Sequence, residues 1–247
     1  MNNVRFLASV AVAATLLSGP AFARDMTIYQ AVIGETDQKT QEISTEDMRR
    51  IVSQGGATIL DTRPLAEFVN GHIPGANTLK GPGSEAVAGV EKLVDGDKSK
   101  ALVLYCNGPH CQASRRMAAQ LLDAGFTNVR RYQLGMPVWR ALGGPTEIDL
   151  EGVLRIFRND QTAVFLDARS AEDFGKGSLP RAHNLTAETA AKVQGAPMPL
   201  DDFNTRIVLF GRDAQQAREL AEALSKRPWH NVSYFAGTFE SLNAAVN

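Results

Sequence analysis

Two stretches of the 247-residue chain repeat one another without a gap. Residues 59–79 are ILDTRPLAEFVNGHIPGANTL, and residues 165–185 are FLDARSAEDFGKGSLPRAHNL. Eight residues recur in order at an offset of 106: Leu60, Asp61, Arg63, Phe68, Gly71, Pro74, Ala76 and Leu79 return as Leu166, Asp167, Arg169, Phe174, Gly177, Pro180, Ala182 and Leu185. Self-similarity of this kind is the signature of a duplicated structural unit. We therefore predict two domains of one design, residues 43–146 and residues 147–247.

Each copy alternates short apolar strands with helices. The first copy predicts strands at 58–61, 101–105 and 128–132, and helices at 45–54, 84–95 and 113–124. The second copy predicts strands at 163–166, 206–210 and 231–235, and helices at 149–158 and 213–226. Short apolar strands alternating with helices favour a parallel sheet covered on both faces. The expected fold class is therefore α/β, with two tandem domains.

Composition excludes several classes of function. The chain has 26 Lys plus Arg against 27 Asp plus Glu, a formal net charge of −1, so no strong field favours nucleic acid or anionic lipid. The only cysteines are Cys106 and Cys111, which excludes a disulfide-dense scaffold and an all-thiolate metal site. The two cysteines can form at most one disulfide within the chain. The four histidines are scattered along the chain and form no metal-ligand pattern.

The N-terminal segment has the pattern of a secretory signal peptide. Arg5 precedes an apolar run at 6–17, and small residues follow at Ala21 and Ala23. This run is short of the roughly 20 apolar residues that span a bilayer. We expect residues 1–23 to be cleaved after Ala23, leaving residues 24–42 as an N-terminal extension. The expected location is a bacterial periplasm, away from the membrane, where neighbouring thiols become oxidised.

Cys106 ends an apolar strand and precedes a helix. The segment between them, with the start of that helix, consists of Asn107, Gly108, Pro109, His110, Cys111, Gln112, Ala113 and Ser114. Ligands of parallel α/β sheets bind at the carboxyl ends of strands, and a helix N-terminus there lowers the pKa of a thiol. Gly108 and Pro109 favour a tight loop whose N–H groups form an anion cradle. From the residues alone, Cys106 is either a nucleophile or a buried structural thiol.

These motifs resemble the rhodanese family of sulfurtransferases. The stretch DTRPLAEFVNGHIPGA at 61–76, a strand ending in Cys106, and QLGMPVWRALGGP at 133–145 follow the family's order. The resemblance implies two rhodanese-like domains, each with a central parallel sheet of about five strands. It also implies that Cys106 takes a sulfane sulfur as a persulfide, enclosed by a substrate-binding loop at 107–114. The implied partners are a small sulfur-donor anion such as thiosulfate and an acceptor, either cyanide, a small thiol or a protein thiol. No cofactor and no metal is implied.

The chain departs from the family pattern in two places. The loop is longer than the common Cys-x-x-Gly-x-Arg-Ser type and carries a second cysteine, Cys111, so substrate preference stays open; His110 within it is a candidate for attracting an anionic donor. The position of the nucleophile in the second copy is Gly211, and residues 147–247 contain no cysteine. The second domain therefore cannot hold a persulfide.

Alternatives remain for the function and for Cys111. As a resolving thiol, Cys111 would attack the Cys106 persulfide and leave a disulfide; otherwise it is a packing residue. The chain is then a sulfurtransferase, a periplasmic thiol–disulfide redox protein using both cysteines, or a non-catalytic sulfur-binding module. A phosphatase of related fold needs Arg six residues after the cysteine. Gln112 occupies that position, which argues against this class of enzyme.

Three further expectations concern residues near the motifs. We expect His72 to be a structural hydrogen-bonding residue rather than a base. Asp61 and Arg63 are expected to form an internal ion pair or to anchor the backbone, as are Asp167 and Arg169, because the cysteine-free copy keeps both. Trp139 is expected to pack as a lid beside the loop.

Overall fold

The computed structural model describes residues 38–193 and 195–246. The expected signal peptide at 1–23 and most of the extension at 24–42 lie outside these residues. In the described ranges, no helix is long and apolar enough to cross a bilayer.

Twenty elements follow one another along the described chain. Those of the first half are β1 (Gln41–Glu42), α1 (Thr45–Gln54), β2 (Thr58–Asp61), α2 (Leu65–Phe68), β3 (Asn77–Thr78), α3 (Gly83–Leu93), β4 (Leu102–Tyr105), α4 (Gln112–Asp123), β5 (Val129–Tyr132) and α5 (Gly135–Ala141). Those of the second half are β6 (Thr146–Ile148), α6 (Leu150–Asn159), β7 (Val164–Asp167), α7 (Ala171–Gly175), β8 (Ala182–Asn184), α8 (Ala187–Ala190), β9 (Ile207–Phe210), α9 (Ala214–Ser225), β10 (Val232–Phe235) and α10 (Phe239–Val246).

The strands form two five-stranded sheets of the same topology. The strand order is β1-β5-β4-β2-β3 in the first sheet and β6-β10-β9-β7-β8 in the second. Every neighbouring pair is parallel. The predicted α/β class with two tandem five-stranded parallel sheets is confirmed.

The edge strands place the start of each sheet slightly earlier than the predicted domain boundaries. β1 pairs with β5, so the first sheet begins inside the segment predicted as an extension. Thr146, the last residue of the predicted first domain, opens β6 of the second sheet. Strands of two or three residues carry too little periodicity to be seen in a sequence.

The core of the first domain lies on both faces of its sheet. Successive residues of β4 face opposite sides, as the pleat of a strand requires. Leu102 and Leu104 pack with α3 and α4 on one face, and Val103 and Tyr105 pack with α1 and α5 on the other. This burial on both faces explains why β4 is apolar without alternation. It also fixes the carboxyl end of β4, where Cys106 follows.

A buried ion pair is repeated in both domains. Arg63 donates to both carboxylate oxygens of Asp61, with Nη2 to Oδ2 at 2.6 Å, and the second domain has the same pair with Arg169 and Asp167. The expected internal ion pairs are therefore confirmed. In the first domain the Tyr105 hydroxyl donates to Asp61 at 2.6 Å. Phe210 replaces Tyr105 in the second domain, and there the Ser178 hydroxyl donates to Asp167 instead, also at 2.6 Å. Both carboxylates thus keep a hydroxyl donor besides their arginine, although different residues supply it.

Backbone hydrogen bonds join the two domains. His72 and Glu147 exchange two N–H to O=C bonds of 2.9 Å, and the N–H of Asp149 donates to Val69 O at 3.2 Å. A Cβ on Gly152 would lie 2.0 Å from Val69 O, so only glycine permits this approach. The domains are therefore in direct contact beside the carboxyl end of the first sheet.

Candidate active site

Cys106 lies at the carboxyl end of β4, the middle strand of the first sheet. It is 3% exposed, and its carbonyl oxygen accepts the N–H of Met136 from α5 at 3.0 Å. The neighbouring strand β2 ends at Asp61, which is buried with its ion pair. This edge is where parallel α/β proteins bind their ligands. The predicted position of Cys106 is confirmed, and its chemical role stays a prediction.

The loop that follows Cys106 is shorter than the predicted segment. The N–H of Cys111 donates to Gly108 O at 3.0 Å, which closes a tight turn, and Gly108 has a φ of +103° that glycine adopts readily. Helix α4 begins at Gln112, with Cys111 as its N-cap residue. Gln112, Ala113 and Ser114 therefore form the first helical turn. Residues 107–111 make the loop proper.

The structure joins Cys106 and Cys111 by a disulfide. Their Cα atoms are 6.1 Å apart, within the usual range for a bridge. The turn at Gly108 is what brings the second cysteine back toward the first. In this state the Cys106 sulfur is not a free nucleophile, so a reductant must open the bridge before Cys106 can react.

The residues of the loop and of the first turn of α4 differ in exposure. Asn107 donates to a carboxylate oxygen of Glu67 at 2.5 Å, which ties the loop to α2. His110 and Gln112 are exposed, whereas Ser114 is buried. Pro109, Cys111 and Ala113 are half-buried. Of the predicted loop residues, Gly108 and Ser114 are therefore the two that are fully buried.

The N-terminus of α4 lacks a neutralising side chain. Among the described residues, no side chain caps this helix, and its first turn contains no acidic residue. A helix N-terminus carries a partial positive charge that favours an anion or a thiolate. Opening the disulfide would therefore place the Cys106 thiol where ionisation is favoured.

In the second copy, the helix that follows the corresponding loop does have a side-chain cap. Asp213 caps α9 by accepting the N–H of Gln216 at 2.9 Å, and that hydrogen bond, ahead of the smaller contribution from Arg212, lowers the pKa of Asp213. The Gln216 carboxamide in turn accepts the N–H of Arg212 at 2.9 Å. A Cβ on Gly211, the counterpart of Cys106, would lie 3.0 Å from the Gln216 Oε1 atom. The second loop is therefore filled by its own side chains as well as lacking a nucleophile.

Gly135 is a site residue that the sequence analysis did not assign. It has a φ of +63°, and a Cβ there would lie 2.2 Å from Cys106 O and 2.5 Å from Gly108 N. Any larger residue would displace the loop or α5. The signal was present in the sequence, because Gly135 recurs as Gly237 in the second copy.

Two other predicted residues have structural positions. His72 is 2% exposed, stacks on Phe68 with ring centroids 3.8 Å apart, and places Nδ1 3.0 Å from Phe68 O. This agrees with a hydrogen-bonding role. Trp139 is 2% exposed and packs in the core with Tyr105, and its indole N–H donates to Pro145 O at 2.9 Å. The expectation that Trp139 is a lid beside the loop is therefore wrong, because its ring is part of the sheet's core.

The fold and the site together define a tandem α/β protein with one cysteine-bearing loop at the carboxyl edge of its first sheet. A family model for the rhodanese-like domain matches residues 44–142 and, a second time, residues 151–245. The chain therefore belongs to the rhodanese-like domain family, which confirms the resemblance and supports a sulfurtransferase at the level of the family.

Three of the similar proteins match about one repeat each. The thiosulfate sulfurtransferase GlpE of Pseudomonas putida is 31% identical over 101 residues, which cover 41% of this chain and 86% of that protein. The HTH-type transcriptional regulator Rv0324 of Mycobacterium tuberculosis is 33% identical over 105 residues, 42% of this chain and 44% of the regulator. The chain thus spans less than half the regulator's length. The solved structure of the BH2092 protein from Bacillus halodurans is 25% identical, with a TM-score of 0.40, and the match covers 49% of this chain and 87% of that one.

Proposed function

We propose that the protein is a sulfurtransferase in which Cys106 accepts a sulfane sulfur from a donor such as thiosulfate. The observation that carries the proposal is the position of Cys106, between the carboxyl end of β4 and the uncapped N-terminus of α4, in the one repeat that has a cysteine. The similarity to proteins named thiosulfate sulfurtransferase supports this donor class.

The first half of the reaction is a transfer to the thiolate. The Cys106 thiolate attacks the outer sulfur of thiosulfate, a sulfur–sulfur bond forms, and the bond inside thiosulfate breaks with sulfite leaving as a dianion. The resulting persulfide anion stays beside the α4 N-terminus, whose partial positive charge favours it. This step requires neither a metal nor an organic cofactor, because the donor sulfur is itself the electrophile.

The second half of the reaction passes the sulfur on. A thiophilic acceptor such as cyanide attacks the outer persulfide sulfur, and the sulfur–sulfur bond breaks. The products are thiocyanate and the regenerated Cys106 thiolate. With Cys111 as the acceptor, the outer persulfide sulfur first takes a proton from solvent, the Cys111 thiolate attacks the inner sulfur, hydrosulfide leaves with that proton, and the Cys106–Cys111 disulfide forms. A dithiol must then reduce that disulfide, itself becoming oxidised. The bridge between the two cysteines supports this second route.

The same bridge favours a second candidate function. A thiol–disulfide redox protein would cycle Cys106 and Cys111 between thiols and disulfide without any sulfur donor. The two candidates differ in one measurable product, since only the sulfurtransferase releases sulfite from thiosulfate.

The test follows sulfite and thiocyanate from the full chain after reduction and removal of the reductant. With thiosulfate and cyanide, we expect continuous production of both from Cys111→Ser, production from the wild type that slows as the Cys106–Cys111 disulfide forms, and from Cys106→Ser none above the uncatalysed rate. Turnover by Cys106→Ser would overturn the assignment of the nucleophile. Sulfite in one burst without thiocyanate would indicate a sulfur-binding module, and dithiol oxidation without sulfite would indicate the redox protein.

A further inference from the structure

Arg140 is an unpaired cation close to the Cys106 loop. It belongs to α5, the helix whose second residue, Met136, hydrogen-bonds to Cys106 O. Within the described chain its guanidinium makes no hydrogen bond or ion pair, and its Nε atom is shielded from solvent. Arg140 is half-buried, and a guanidinium partly withdrawn from water gains from a partner that accepts its hydrogen bonds.

The charges around Arg140 are positive. Burial, and then the nearby charges of Arg63 and Arg206, lower its pKa. Arg63 is paired with Asp61 at 2.6 Å, and Arg206 with Asp160 at 2.7 Å, so both carboxylates already have cationic partners. The region around Arg140 therefore has an excess of positive charge.

A cavity of about 310 Å³ opens beside Arg140 between the domains. It is lined by Pro137, Arg140 and Ala141 of α5 and by Asn204, His230 and Asn231 of the second domain. The first three residues lie on one face of α5 because they are spaced i, i+3 and i+4. None of these six described residues carries a carboxylate.

The cavity adjoins the Cys106 loop. A Cβ on Gly108 would lie 3.9 Å from the Pro137 side chain, in ordinary contact distance. Pro137 thus lies beside the loop and also lines the cavity. Because α5 spans both, a ligand in the cavity would lie about one helical turn from the residue that binds Cys106 O.

We propose that this junction cavity binds a small tetrahedral oxyanion, with Arg140 as its cationic partner. The guanidinium offers donors in a planar fork that suits sulfur and phosphorus oxyanions. The carboxamides of Asn204 and Asn231 and the ring of His230 supply further N–H donors from the second domain. The cysteine-free domain would then complete an anion site next to the loop of the other domain. This inference does not depend on the persulfide chemistry.

The test measures oxyanion binding by calorimetry in the full chain carrying Cys106→Ser, so that no covalent transfer occurs. Sulfate, thiosulfate and phosphate are titrated at constant ionic strength, with chloride as the reference anion. We expect saturable binding that Arg140→Gln weakens by about tenfold or more, the loss expected for a charge-assisted hydrogen bond. Arg158→Gln, which removes an exposed arginine of α6, is the matched control and should leave binding unchanged.

A second variant keeps the test decisive if Arg140→Gln folds poorly. Asn204→Asp adds a carboxylate of the same size to the cavity lining, and we expect it to weaken oxyanion binding as well. The proposal is overturned if the parent chain shows no saturable binding, or if both variants bind as tightly as the control. Preference for thiosulfate over phosphate would identify the ligand as a sulfur oxyanion, and the reverse as a phosphate. Sulfur loading of Cys106 in the wild type tests the proposed function separately.

Discussion

Replacing Gly135 by alanine tests whether the close approach of α5 to the loop supports the site. The new Cβ would lie 2.2 Å from Cys106 O, whereas ordinary contacts begin near 3.4 Å, so the loop or the helix must move by about 1.2 Å. Left-handed backbone at a non-glycine residue costs about 1 kcal/mol. Weakening the bond from Met136 N–H to Cys106 O adds about 1 kcal/mol. We therefore expect a loss of about 2 kcal/mol in the free energy of unfolding of the first domain.

The matched control is Gly96→Ala. Gly96 has a φ of +77° but would place its Cβ with nothing within 4 Å, so only the backbone penalty applies. In calorimetric scans, a loss of 2 kcal/mol lowers the midpoint of a domain of this size by about 8–16 °C, and the control should lose about half as much. Gly135→Ala should also load less sulfur onto Cys106, while Gly96→Ala loads normally. Equal midpoints and equal loading in the two variants would refute the reasoning.

The remaining predictions concern the ion pair, the domain junction and the second loop. Asp61→Asn leaves the buried Arg63 charge without its partner, so urea unfolding should show a loss of about 3–5 kcal/mol, and Asp167→Asn should cost a similar amount because Asp167 pairs with Arg169 at the same distance. Burial would raise the pKa of Glu147, but the His72 ring and the Gly75 N–H outweigh it and hold that pKa below its usual value. Glu147 therefore stabilises the fold above its unfolded pKa of about 4.3, and this contribution is lost as the pH falls through its pKa in the folded protein. Between pH 6 and pH 3, the melting temperature should fall less steeply in Glu147→Gln than in the wild type. Identical slopes would contradict a lowered pKa for Glu147. Gly211→Cys combined with Cys106→Ser should load no sulfur by mass spectrometry, because Gln216 and Asp213 fill the second loop; loading there would show that the missing thiol was its sole defect.

Much of the fold was predictable because its main strands are buried on both faces. β4 and β9 are unbroken apolar runs, β2 and β7 have apolar centres, and the repeat in the sequence placed them in two equivalent sheets. The short elements were missed for physical reasons. β1 and β3 have two residues each, and α5 begins with Gly135 and contains Pro137, so its helical form depends on packing rather than on propensity.

The candidate site was predictable only where its chemistry is local. Cys106, the turn at Gly108 and the helix after Cys111 follow one another in the chain, so their proximity could be inferred. Arg140 and the cavity beside it could not, because the lining comes from two domains that meet only in the folded protein. For the second copy, the sequence predicted only that the cysteine is missing. That Gln216 also blocks the position next to Gly211 could be seen only in the folded structure.

The most direct test of the account is the location of sulfur in the Cys111→Ser chain after reduction, incubation with thiosulfate and digestion. This variant cannot form the bridge, so a persulfide on Cys106 should persist. We predict a gain of about 32 Da on the peptide containing Cys106, removed by cyanide. An unmodified Cys106 under these conditions would contradict the claim that this residue carries the sulfur.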